Sequence, residues 1–184
     1  MDVNIRNGND GKIASVSSTN RLNVSAKTNP RIFYTSRDNG LAFNAIATSA
    51  TNSAGEFVMT MKNTSTTRNL FMKHIEFHST NDVVWQIFEV TGTGVGTAIV
   101  PSNLNLGSGL SAEVDCVGSG AVTGLTEVKQ IGTHRSQAGG DSEMNYENAL
   151  ILTPNSQIAI KYLSGTAGAN EIDMFFHYED IGAR

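Results

Sequence analysis

The 184-residue sequence contains one cysteine and three prolines, and it lacks any long apolar run. The lone Cys116 excludes an internal disulfide and a metal site built from several thiolates. Its neighbours Val114, Asp115 and Val117 bring no cation that would lower the pKa of the thiol. We therefore expect Cys116 to be a small residue within a strand.

No segment approaches the roughly 18 apolar residues that a membrane-spanning helix requires. The first residues, MDVNIRNGNDGK, are polar and contain no apolar core of a signal peptide. Synthesis in a cytosol is therefore expected, where the glycosylation patterns beginning at Asn23 and Asn63 would not be used.

Charge of either sign is also sparse and dispersed. Thirteen basic and seventeen acidic residues give a formal net charge of −4. Neither sign forms a block, so the basic patch that nucleic acid or an anionic membrane would require is missing. We expect neither of these as a partner.

What the sequence does contain is typical of short strands joined by turns. It has 18 glycines, many serines, threonines and asparagines, and no long helical periodicity. Apolar residues are thinly spread over residues 1–30, which cannot build a core alone. The pattern predicts an extended N-terminal arm at residues 1–30 and a β-sandwich domain at residues 31–184.

The strongest folding signal lies in residues 69–90, NLFMKHIEFHSTNDVVWQIFEV. Two segments rich in β-branched and aromatic residues flank a polar Ser-Thr-Asn-Asp, a pattern typical of an antiparallel hairpin. In the first segment, period two separates an apolar face from an ionisable face and predicts a half-buried strand. The apolar face comprises Phe71, Ile75 and Phe77, and the ionisable face comprises His74, Glu76 and His78. The second segment is apolar on both parities, which predicts a central strand covered on both sides.

Eight or nine strands are expected after the arm, including a first at residues 32–35 and two separate ones at residues 111–117 and 121–131. Longer connections are expected between them: a flexible glycine-rich turn at residues 91–96, a loop at 101–109 pinned by its two leucines, and a loop at 132–145. Short strands with several connections too long for plain hairpins favour a two-sheet sandwich. We predict an all-β, jelly-roll-like β-sandwich.

One face of the first segment has the spacing of a metal site. His74, Glu76 and His78 place three possible ligands on one side of a strand. Alternate residues lie about 7 Å apart, so neighbours could share an ion, whereas His74 and His78 would be about 13 Å apart. A third ligand would have to come from elsewhere, nothing in the sequence supplies it, and His134 and His177 are too isolated to be placed nearby. We interpret this face as solvent-exposed or subunit-facing surface and predict no metal and no cofactor, with a metal-dependent enzyme as an alternative.

Other catalytic patterns are incomplete. The Gly-Ser-Gly triplets at residues 107–109 and 118–120 lack the spacing of a nucleophile elbow. The Gly-x-Gly-x-Gly at residues 92–96 lacks the Lys-Ser/Thr and the helix start of a phosphate-binding loop. Sequence alone cannot bring carboxylates on different strands to the separation that glycoside hydrolysis needs. The carboxylates considered are Glu113, Asp115, Glu127 and Asp173. We predict that the protein is not an enzyme and assign no catalytic residue.

Three stretches resemble a group of tailed-bacteriophage virion proteins. They are ASVSSTNRLNV at residues 14–24, PSNLNLGS at 101–108, and the ending from LTP at 152–154 through FFHY at 175–178. The resemblance implies a jelly-roll-like sandwich, often trimeric, displayed on the phage particle as a head decoration or cement protein, or as a tail or baseplate attachment protein. It implies no site residues.

These observations lead to an expected function in the virion, after synthesis in the host cytoplasm. The leading expectation is a capsid decoration or cement protein, a homotrimer that binds the major capsid protein or another virion protein through residues 1–30. The alternative is a tail or baseplate host-attachment protein whose loops at residues 91–96 and 132–145 bind cell-surface glycan.

Overall fold

The computed structural model describes residues 35–49, 52–165 and 168–181. These form one π-helical turn, Thr35–Asn39, and nine strands. The strands are β1 (Ala42–Ser49), β2 (Phe57–Asn63), β3 (Arg68–Ser79), β4 (Val83–Ala98), β5 (Ser102–Asn103), β6 (Val114–Ser136), β7 (Asp141–Leu152), β8 (Gln157–Gly165) and β9 (Asn170–Asp180). The predicted arm at residues 1–30 lies outside the described residues, as does most of the strand predicted at 32–35. None of the described segments is a helix long and apolar enough to cross a membrane.

The strands form two antiparallel sheets. The first has the order β5-β1-β9-β3-β7, and the second joins β2, β8, β4 and β6. Apart from the two-residue β5, the pairs β4–β6, β3–β7, β2–β8 and β1–β9 are nested within one another along the chain. Strands paired in this way and divided between two sheets make a jelly roll. The predicted all-β, jelly-roll-like sandwich is confirmed.

The predicted hairpin at residues 69–90 is wrong, although both of its strands exist. β3 pairs with β7 and β9, whereas β4 pairs with β6 and β8. The polar turn between them therefore carries the chain from one sheet to the other. The two strands meet through the core, where Phe77 stacks on Trp85 with ring centroids 5.4 Å apart. The second segment, in β4, has a paired strand along each edge, as predicted for a central strand.

A bulge in β3 alters the predicted faces. The register shifts between Met72 and His74, so residues on the two sides of the shift do not keep one parity. Met72 and Ile75 both enter the main core, while Phe71 lies on the opposite face and stacks on His177 with centroids 5.4 Å apart. The prediction that Phe71 shares a face with Ile75 and Phe77 is wrong for this reason.

The main core lies between the two sheets and is rich in aromatic rings. Trp85 is fully buried, packs edge-on against Tyr162 and donates a hydrogen bond from Nε1 to Ser136 Oγ at 2.9 Å. Burial of side chains of this size stabilises the fold by about 1.5–3 kcal/mol each. Cys116 is a buried residue of β6, as predicted, and burial, followed by the charge of Asp115, raises the pKa of its thiol to about 12.

The second sheet closes on itself because β4 and β6 form one long, bent ribbon. β6 pairs with β2 through its first residues and with β4 along much of its length, and β8 lies between β2 and β4. At the bend, Gly92 and Gly124 have φ of +105° and +78°, a region that side chains with a Cβ rarely adopt. The ribbon covers a second small core made of Phe88, Val90 and Ala159. The glycine-rich turn predicted at residues 91–96 is wrong, because these residues belong to β4.

Two further boundaries differ from the prediction. Residues 114–117 and 121–131, expected in two separate strands, belong to one continuous strand, β6, and residues 111–113 precede it. The next strand, β7, begins at Asp141. The loop expected at residues 132–145 is therefore wrong, since only residues 137–140 connect the two strands. Polar residues on an exposed, bent ribbon resemble loop residues in composition, which explains both errors.

The connection between β4 and β6 is held by asparagines rather than by its leucines. Asn103 Nδ2 donates to the carbonyl oxygens of Gly40 and Leu110, and Asn105 Nδ2 donates to Ser36 O. Leu104 is 42% exposed and Leu106 is 92% exposed, so the prediction that the two leucines pin this loop is wrong.

Asn63 joins three segments at one end of the sandwich. Its side chain is fully buried. Its Nδ2 donates to the carbonyl oxygens of Arg68 and Leu152, both at 2.9 Å, and its Oδ1 accepts from Ser65 N at 3.0 Å. The end of β2, the start of β3 and the end of β7 are therefore linked by a single amide.

His134 in β6 packs with its ring against the main core. The ring stacks on Phe77 with centroids 4.9 Å apart, and Nε2 is buried without a hydrogen-bond partner. Burial lowers the pKa of His134 from its ordinary value of 6.5, because desolvation disfavours the charged ring.

We expect His134 to make the protein less stable as the pH falls below about 6.5. The unfolded chain binds a proton near this value, whereas the folded chain binds it only at lower pH, so unfolding becomes more favourable through this window. The free energy of unfolding, measured with urea at pH 7.5 and at pH 5.5, should fall less for His134→Phe, which keeps a stacked ring and does not titrate. Equal losses for the two proteins would contradict this role.

Candidate functional site

The outer face of the first sheet carries ionisable side chains from three adjacent strands, with β3 between β7 and β9. Their register forms three rows across the sheet: Asn145, His74 and Phe175; Glu143, Glu76 and Asp173; and Asp141, His78 and Glu171. We call these residues the carboxylate face. Since no lysine or arginine occupies the rows, the carboxylates lack a cation from within this set.

The first two residues of the predicted metal pattern do approach each other. His74 Nε2 lies 3.0 Å from Glu76 Oε1. The imidazole ring packs on Phe175, with ring centroids 4.3 Å apart, and its side chain is 19% exposed. Nε2 is nevertheless buried without a properly aligned hydrogen bond. The fold therefore brings two potential metal ligands together without forming an aligned hydrogen bond between them.

Glu143 on β7 adds a third potential ligand. It stands directly opposite Glu76 in the β3–β7 ladder. One donor atom each from His74, Glu76 and Glu143 lies within 4.8 Å of the other two. The expectation that the chain supplies no third ligand beside this pair is wrong, because strand pairing between distant segments provides it.

His78 does not join this group. Its Nδ1 lies 2.9 Å from Asp141 Oδ1, one row further along the sheet. Glu171 flanks it on β9. As predicted, His74 and His78 do not share one site. His74 lies beside Glu76, and His78 lies beside Asp141.

Asp173 shows the electrostatic character of this face. It lies beside Glu76 on β9, and its Oδ1 is buried without a hydrogen-bond partner. Burial, then the charges of Glu171 and Glu76, raises the pKa of Asp173 to about 6, although a hydrogen bond with Asn44 opposes the shift. Glu76, Asp173 and Glu171 therefore place three carboxylates at neighbouring positions of this face.

The two remaining histidines lie apart from this group. His177 is buried on the outer side of β9, where Nε2 lies 3.0 Å from Glu179 Oε1. His134 faces the main core on the opposite side of the first sheet, against Phe77.

Carboxylates considered for catalysis are also separated. Glu113 lies 3.8 Å from Arg68 in one ion pair, whereas Glu127 lies 2.6 Å from Lys161 in another. Of the two Gly-Ser-Gly triplets, the one at residues 118–120 lies within β6, where Ser119 Oγ accepts a hydrogen bond from Thr48 N. These groups do not assemble a shared site.

A pocket of about 530 Å³ lies at the end of the sandwich, beside the connection between β6 and β7. Its lining includes Asp82, Arg135 and Asp141, and several residues of the predicted 132–145 loop. Residues 91–96 do not contribute to it. Of the two segments predicted to bind glycan, only the one at residues 132–145 lines this pocket.

Exposed edges and apolar side chains are a separate feature of the surface. Within the described residues, β7 pairs with β3 alone, and its other edge has no partner strand. The β4–β6 connection exposes four large apolar side chains: Val100, Leu104, Leu106 and Leu110. Unpaired strand edges and exposed apolar residues commonly mark surfaces that contact other chains.

No protein-family model matches the sequence, and no curated protein shows a significant match to it.

Proposed function

We propose that the protein is a non-enzymatic structural protein of a tailed-bacteriophage virion, most specifically a capsid decoration or cement protein. The observation that carries the proposal is the edge of β7 that no described strand pairs with, together with the apolar β4–β6 connection. In a protein that works alone, an exposed strand edge and exposed apolar side chains promote aggregation. In an assembly protein, neighbouring chains cover both features. The sequence resemblance to virion proteins supplies the setting.

Residues 1–30 are the segment proposed to bind the particle. Their polar composition cannot support a core, and an extended segment can bind by main-chain pairing along another subunit. The partner is the major capsid protein or another virion protein, and the proposed oligomer is a trimer.

Deletion of residues 2–29 should leave a folded β-sandwich that no longer binds particles. Binding is measured by co-sedimentation with virions that lack the protein, and folding by circular dichroism and thermal unfolding. A variant with the same residues 2–29 in scrambled order controls for length and charge. Full binding by either folded variant would contradict the proposed role of the arm.

A host-attachment protein of the tail or baseplate is the second candidate. The pocket beside Arg135 favours it, because charged and hydroxyl groups around an open pocket suit the hydroxyl groups of a sugar. Copy number distinguishes the two candidates: hundreds of copies per particle indicate the head, and about a dozen or fewer indicate the tail.

A further inference from the structure

We propose that His74, Glu76 and Glu143 bind one divalent transition-metal ion, of which Zn²⁺ is the representative, on the outer face of the first sheet. The site would link the edge strand β7 to β3. It is independent of the proposed virion role.

The geometry of the donor atoms is the first support. The three donor atoms lie within 4.8 Å of one another, whereas ligands of a tetrahedral Zn²⁺ lie about 3.4 Å apart. Glu76 has a side chain 47% exposed, and Glu143 is an exposed residue of β7. Small rotations of these two carboxylates would close the difference without moving the backbone.

The state of His74 is the second support. Its Nε2 is buried and lacks an aligned hydrogen bond, even though a carboxylate oxygen lies 3.0 Å away. A buried polar atom without a partner is unfavourable, and a metal ion would satisfy both the nitrogen and the oxygen at once. The packing of the ring on Phe175 holds this nitrogen in place.

Charge is the third support. The two glutamates balance a dication when the imidazole is neutral, and none of the nine residues of the carboxylate face is a lysine or an arginine. Asp173, directly opposite Glu76 on β9, places a third carboxylate beside the two glutamates.

The ligand types select the class of metal. Imidazole with carboxylates suits zinc and related first-row ions, whereas Ca²⁺ takes about six to eight oxygen ligands and Mg²⁺ retains several waters. Three protein ligands leave a fourth position open to water or to a group from another molecule.

The test uses the untagged full-length protein, stripped with chelator and titrated with Zn²⁺ by calorimetry at pH 7.5. We expect one saturable Zn²⁺ per chain. At about one hundred times the Kd, the Tm should rise by roughly 5 to 10 °C. Glu143→Gln and His74→Gln should each weaken binding by more than about tenfold, since loss of a group that only hydrogen-bonds and orients a ligand already weakens metal affinity by about this much.

Glu171→Gln and His78→Gln are matched controls, because they alter the adjacent row of the same face and leave the three ligands intact. Both should bind Zn²⁺ as the unsubstituted protein does. The proposal is overturned if no saturable binding occurs, if Ca²⁺ binds in preference to Zn²⁺, or if the control substitutions weaken binding as much as Glu143→Gln. The Tm of each metal-free variant, which should match that of the metal-free protein, shows that the fold is retained.

Discussion

Gly124→Ala is expected to lower the free energy of unfolding by about 3 kcal/mol or more, which combines backbone strain with overpacking. Gly124 has φ of +78°, and a Cβ at this position would lie 2.3 Å from the carbonyl oxygen of Thr93. Gly92 is in the reciprocal position, with φ of +105° and its Cβ site 2.3 Å from Gly124 O. Both obstructing atoms are backbone, so relief requires the β4–β6 ribbon to shift.

Gly139→Ala is the matched control for the strain alone. Gly139 has φ of +68°, but nothing lies within 4 Å of its Cβ site. It should therefore lose only about 1 kcal/mol, the strain of a left-handed alanine. Urea unfolding of both variants gives the comparison. Losses of equal size would show that the close approach at Gly124 is relieved without disturbing the ribbon.

Asn63→Ala is expected to destabilise the protein by about 3 to 4 kcal/mol, because each buried group that loses its partner costs about 1–3 kcal/mol. The substitution removes the donor to the Arg68 and Leu152 carbonyl oxygens and the acceptor for Ser65 N. Water cannot easily replace the amide where the side chain is fully buried.

Asn105→Ala tests whether this effect depends on burial. Asn105 also uses its amide twice, donating to Ser36 O and accepting from Gly107 N, but in a partly exposed loop. Because water can satisfy the released groups, we expect a loss of about 1 kcal/mol. Both free energies of unfolding are measured with urea. If Asn63→Ala lowers this free energy no more than Asn105→Ala does, the proposed role of Asn63 in linking the three segments is contradicted.

Local sequence patterns predicted where the strands lie more accurately than they predicted which strands pair with each other. Alternation in residues 69–90 located β3 and β4 because side-chain period is a property of each strand alone. The prediction that β3 and β4 pair as a hairpin was wrong, because a short polar turn can join two paired strands of one sheet or two strands of different sheets. The two outcomes differ in the partners of β3 and β4 and in the packing of Phe77 on Trp85 through the core, and both are tertiary.

The candidate metal site shows the same limit. The pattern placed His74 and Glu76 together, but Glu143 enters only through the register of β3 with β7. That register depends on a bulge between Met72 and His74, which no residue type in β3 signals. Likewise, the glycines of residues 91–96 indicated a flexible backbone, but the sequence did not show that these residues form the bend of a continuous strand.

The nested pairing of strands also bears on how the chain folds. β4 and β6 are joined by the shortest span of the four nested pairs, whereas β1 and β9 are joined through nearly the whole described chain. Loop closure becomes entropically more demanding with span, and folds dominated by distant pairings form slowly. The bent ribbon is therefore positioned to form first and the β1–β9 ladder last. Until that ladder forms, both β1 and β3 have an open edge, and at high concentration another chain can pair with it before the protein's own β9 does.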